Sequence, residues 1–297
     1  MSDMTSLLGL LLGLVLAGPS PPASPPVTQQ GPGFYQELSW SPDGGTLLVS
    51  VLEIRDSDPR FPYRIWRLDP DGGEAAPITE GPKDYWTSWS PSGDRIVFAG
   101  SDGQGSLDVF TMRADGSDRQ RLTKDEASDT QPDWSPDGRQ IAFISSREGS
   151  GQLWVMRADG SAAKRLLETA HELQNPEWSP GGKHIAYYET DGKGNDWVFV
   201  VRADGSEPRR LAKGLWPTWT PDGESLLFGA DGGLYRIPQA GGEPTLVVAG
   251  DVVAGELSPD GKRLAYIVKE AGKVAVRVAN PDGGNPRTLM ERPAPAW

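Results

Sequence analysis

Apolar residues along this chain come in short runs bounded by turn residues, and no stretch keeps the periodicity of an amphipathic helix. Between residues 131 and 167 the pattern predicts four strands, at 131–135, 140–145, 152–157 and 163–167. Pro136-Asp137-Gly138 separates the first two, and Ala158-Asp159-Gly160 the last two. Proline pre-sets φ at the second turn position, and glycine takes the left-handed position that closes a hairpin. The segment therefore reads as a four-stranded antiparallel meander.

The same grammar recurs. Leu38-Ser39-Trp40-Ser41-Pro42-Asp43-Gly44, Ser88-Trp89-Ser90-Pro91, Pro176-Glu177-Trp178-Ser179-Pro180, Pro217-Thr218-Trp219-Thr220-Pro221 and Glu256-Leu257-Ser258-Pro259 are further copies. The turn prolines Pro42, Pro91, Pro136, Pro180, Pro221 and Pro259 lie 49, 45, 44, 41 and 38 residues apart. A period in the forties built from four strands predicts propeller blades. The expected fold is an all-β, six-bladed β-propeller of four-stranded antiparallel blades spanning residues 34–297. Trp40, Trp89, Trp134, Trp178 and Trp219 share one slot, filled by Leu257 in the sixth copy, and read as packing wedged between blades. Strand parity puts the short turns on one face and the variable connections on the other, where binding residues concentrate.

Ahead of the repeats, residues 7–17 form an apolar run ending in Val15-Leu16-Ala17, read as a signal peptide over 1–17. It is too short for a membrane span, which needs about 20 apolar residues. Residues 18–33 are Pro-rich and read as an extended linker. A net charge of −12 argues against nucleic acid and against an anionic membrane surface. With no cysteine, disulfides, catalytic thiols and Cys-ligated zinc are excluded.

The series Trp134-Ser135-Pro136-Asp137-Gly138, Ile141-Ala142-Phe143, Leu153-Trp154-Val155-Met156, Ala158-Asp159-Gly160 and Arg165-Leu166 resembles the repeats of TolB-type β-propellers. The likeness covers roughly residues 37–297. It implies a periplasmic or secreted propeller that works by protein contact. TolB carries an α/β domain before its propeller, where this chain has the signal-like run and linker. Pro295-Ala296-Trp297 resembles the opening of another inner strand, in a closing role or as the stub of a seventh blade.

Chemistry is sparse. There is no Gly-x-Ser-x-Gly elbow, and with His171 and His184 as the only histidines a multi-His metal centre is excluded. Three residues before the Trp slot stand Glu37, Trp86, Gln131, Asn175, Trp216 and Ala254, which together would ring the channel mouth and suit a peptide segment or a sugar. Asp84 and Asp129 fall on variable-face loops and join them as candidate binding residues. The expectation is a monomeric, non-enzymatic binder of an envelope or secreted protein, without cofactor or metal. Two alternatives stand beside it: a metal-dependent lactonase or glycan lyase/hydrolase in the channel, and an accessory propeller of a peptidase or kinase system.

Overall fold

Ser-Pro-Asp-Gly recurs because it builds a self-locked hairpin. Gly44, at φ 69°, donates its N–H to Ser41 O at 2.8 Å. Ser41 Oγ donates to Asp43 Oδ1 at 2.6 Å and accepts from Thr46 N at 2.9 Å. Ser135 with Asp137, Thr220 with Asp222 and Ser258 with Asp260 repeat the lock. In the second copy Ser92 replaces the aspartate, and Ser90 turns to Asp94 instead, at 3.0 Å.

The computed structural model describes residues 33–53, 62–103, 106–191, 193 and 195–293. The signal-like run, all of the linker but Gly33, and Pro295–Trp297 lie outside the described residues. Within them the chain is all strand and turn, in six consecutive four-stranded antiparallel units. A single parallel bridge, Tyr63 to Lys83, joins the first two into one sheet. The inner strands are Gly33–Trp40, Lys83–Trp89, Asp129–Trp134, Glu172–Trp178, Leu215–Trp219 and Asp251–Leu257. Each touches the next in chain order, and the last packs against the first, so the units close into a ring.

The core lies in the layers between blades. Leu48 and Ile65 of blade 1 pack with Phe98, Phe110 and Met112 of blade 2. The closing layer sets Ala265, Ile267 and Val276 of blade 6 against Val49 and Trp66 of blade 1. Because both faces of a blade are covered, middle strands read as continuous apolar runs, and Leu47–Glu53 is buried at every position. The repeated tryptophans sit in these layers. Trp219 packs on Ala186 and Val198 of blade 4, and Trp178 on Leu153 and Val155 of blade 3.

Candidate functional site

Each of the four inner strands of blades 2 to 5 slips register once, three residues before its tryptophan. There Trp86, Gln131, Asn175 and Trp216 take φ of 55°, 52°, 50° and 52°. A left-handed conformation costs a non-glycine residue about 1–2 kcal/mol. Pro132, Pro176 and Pro217 follow at once, at a bulge where the ladder needs no N–H. The bulge turns these residues toward the axis. They line, with Glu37 and Ala254, a central channel of about 430 Å³.

The six predicted positions thus meet in one place, but they do different things there. Trp86 and Trp216 come from blades 2 and 5, opposite members of a six-membered ring. Trp86 packs on Tyr85 with ring centroids 4.3 Å apart, and Trp216 on Tyr188 of blade 4 at 5.7 Å. The Trp86 indole N–H has no partner among the described residues. The polar members instead clasp neighbouring blades. Glu37 Oε1 accepts from Ser50 Oγ at 3.0 Å and from Thr87 N in blade 2. Gln131 Oε1 accepts from Asn175 N at 3.0 Å, and Asn175 Nδ2 donates to Pro217 O at 3.3 Å.

Asp84 and Asp129 correct the loop expectation. Asp84 is the second residue of its inner strand and Asp129 the first, and both are fully buried. Arg119 Nη1 donates to Asp84 Oδ1 and Arg147 Nη2 to Asp129 Oδ2, each at 2.7 Å. The arginines that pair with them lie 35 and 18 positions away in the chain.

Three carboxylates outside the sequence-derived candidates also line the channel: Asp133, Glu177 and Glu256. The signal that marks them is the slot directly before the Trp position, which reads Ser39, Ser88, Asp133, Glu177, Thr218 and Glu256. Several of these side chains reach across to the next blade. Ser88 Oγ accepts from Trp134 N at 3.3 Å, Asp133 Oδ2 from Trp178 N at 2.7 Å, and Glu177 Oε1 from Trp219 N at 2.9 Å. Glu256 Oε1 accepts from Trp40 N at 3.5 Å, spanning the closing seam.

Burial dominates their acidity. It pushes Asp133 up to about 6 and Glu37 and Glu256 up to about 8. Glu177 is raised well above the usual carboxylate range by burial and then by repulsion from Asp133 and Glu256. At neutral pH the channel therefore mixes an ionised Asp133 with largely protonated Glu37 and Glu256. Among the described residues no three His, Asp or Glu side chains are grouped to hold a metal ion. Neither histidine reaches the channel: His184 stacks against Trp219 at 6.4 Å, and His171 lies 3.8 Å from Glu189.

Comparison with known proteins agrees with this architecture. A model of the TolB beta propeller domain matches residues 85–214. An uncharacterized protein of Agrobacterium fabrum is 35% identical over 147 residues, covering 48% of this chain and 46% of the relative. The Tol-Pal system protein TolB of Francisella tularensis subsp. mediasiatica is 28% identical over 272 residues, 84% of this chain and 62% of that protein. The crystal structure of TolB from Acinetobacter baumannii superposes with a TM-score of 0.67 at 17% identity, covering 91% of this chain and 65% of that one. The chain thus spans about half to two thirds of the length of these relatives. Six four-stranded units with one turn grammar, the family match over residues 85–214 and the TolB relatives together show a β-propeller fold whose repeats are similar to those of TolB.

Proposed function

We propose that this protein is an exported, non-enzymatic propeller that binds an extended segment of another protein at the variable-loop mouth of its channel. The observation that carries the reading is the pair Trp86 and Trp216, facing across the ring in left-handed backbone that only a packed scaffold sustains. Strain of this kind at a channel mouth fits a recognition hot spot. The relatives named as Tol-Pal system proteins support an envelope partner. Export rests on the apolar run at 7–17 and is checked by N-terminal sequencing of the mature protein.

The test is selection of binders from a random displayed-peptide library against the wild-type chain, followed by affinity measurement on the Trp86→Ala/Trp216→Ala variant. Loss of an aromatic hot spot weakens binding by roughly 30-fold or more. Undiminished binding by the double variant, at an unchanged melting temperature, refutes the reading.

A second reading, a metal-dependent enzyme in the channel, has four lining carboxylates to draw on. Among the described residues, however, no three of them are grouped around one point, and each accepts a backbone N–H of a neighbouring blade. A divalent cation held only by the folded state would raise stability by about 2.7 kcal/mol at a hundred times its Kd. A melting-temperature rise in calcium or manganese, abolished by Glu177→Gln, would shift the assignment to that reading.

A further inference from the structure

Blades 2 and 3 share a buried device, an arginine laid on a cross-strand aromatic pair. Among the described residues blades 4 and 5 hold the pair without the arginine; in blade 4 the buried Leu173 packs with Tyr187 instead. In blade 2 the cross-strand pair Phe98 and Phe110 carries the guanidinium of Arg119, whose Cζ lies 4.9 and 4.1 Å from the two ring centroids. Asp84 takes its charge. In blade 3 the equivalent pair, Phe143 and Trp154, carries Arg147 at 5.6 and 4.5 Å, with Asp129 and Asp125 as partners. Each arginine fills the seam toward the preceding blade.

Blade 5 has the same aromatic pair. Phe228 faces Tyr235 across the strands, with centroids 6.0 Å apart and planes 27° from parallel. Among the described residues no lysine or arginine lies over either ring. The position equivalent to Asp84 and Asp129 is Gly214, where an added Cβ would stand 2.4 Å from the Phe228 ring, so no carboxylate fits there. Over this pair opens a cavity of about 870 Å³ bounded by blades 4, 5 and 6, larger than the channel. Its rim holds Asp196, Asp231, Glu243 and Asp251 against Lys213 and Lys269. The net rim charge is negative, as is that of the whole chain.

We propose that this seam binds a guanidinium, the arginine side chain of a partner protein, laid on Phe228 and Tyr235 as Arg119 and Arg147 lie in blades 2 and 3. Asp231 and Asp251 at the rim take its charge in place of the missing inner aspartate. A planar cation suits the slot because it stacks on an aromatic face while its edge donates to carboxylates, which a lysine ammonium does not match. The cavity is large enough for the arginine and the residues flanking it. The site lies apart from the channel mouth and does not depend on the reading given for it.

The experiment is an amide NMR titration of the full chain with Nα-acetyl-arginine amide and, separately, Nα-acetyl-lysine amide. The arginine probe should shift Gly214, Gly229 and Gly232 and bind at least about 5-fold more tightly than the lysine probe. Tyr235→Leu should weaken it roughly 5- to 30-fold. Asp231→Asn with Asp251→Asn should weaken it too and flatten its salt dependence, and this rim variant decides the matter if Tyr235→Leu does not fold. Equal responses to both probes, no saturable shift, shifts confined to the channel mouth around Trp86, or insensitivity to the folded variants would each overturn the proposal.

Discussion

Asp133 offers a quantitative check on the channel. Its carboxylate accepts from Ser88 Oγ and Trp178 N, each at 2.7 Å, and burial raises its pKa from 3.8 to about 6. The folded state therefore keeps a proton that the unfolded chain releases. The stabilisation from this group is full below about pH 4, falls by at most about 1.4 kcal/mol per pH unit, and is gone above about pH 6. The total is about 3 kcal/mol at most, from some 2 pKa units at 1.36 kcal/mol each. Asn fits the same slot, with Oδ1 accepting from Trp178 N and Nδ2 donating to Ser88 Oγ. Asp133→Asn should thus match the parent at about pH 4 and exceed it by up to about 3 kcal/mol at about pH 7.5. It also removes a repulsion that raises Glu177. Urea midpoints at several pH values read the difference directly. Parallel stability profiles for parent and variant across pH 4–6 would refute the reasoning.

Two further substitutions test the seams. Asp84→Ala strands the Arg119 guanidinium over Phe98 and Phe110, where its side chain is 29% exposed. It should cost about 2–3 kcal/mol and lower Tm by several degrees, and Arg119→Leu in that background should recover part of the loss. Arg263 holds blade 6 to blade 1, donating to Gly44 O at 2.5 Å and to Asp71 at 3.3 Å while lying 4.9 Å from the Trp40 centroid. Arg263→Ala should cost about 1 kcal/mol, with hydrogen exchange accelerating in Gly33–Trp40 and Leu264–Glu270 ahead of blade 3.

What could be read from the amino-acid order was whatever a short window controls. The Ser/Thr-Pro-x-Gly hairpin is a local device closed within a few residues, so its six copies announce six blades, and the strand at 140–145 falls where its pattern puts it. The convergence of Trp86, Gln131, Asn175 and Trp216 follows from counting back from one repeated slot. The bulge beneath them does not, because its left-handed turn is imposed by the neighbouring strand. The fate of Asp84 and Asp129 also escapes local reading. Whether a polar loop residue ends up exposed or buried depends on an arginine elsewhere in the chain. The vacant seam of blade 5 emerges only when the blades are compared in three dimensions, since its mark is a partner that is missing.

Among the described residues no strand is lent from one blade to another at the closing seam. Blade 1 is built from Gly33–Pro77 and blade 6 from Asp251–Pro293, and they meet through side chains such as Trp40, Glu256 and Arg263. A whole repeat could then be duplicated or lost in the gene without breaking into the antiparallel ladder of any other blade. The circumference is set by the thickness of the wedges between sheets, so lineages with this closure can change their blade count by packing alone.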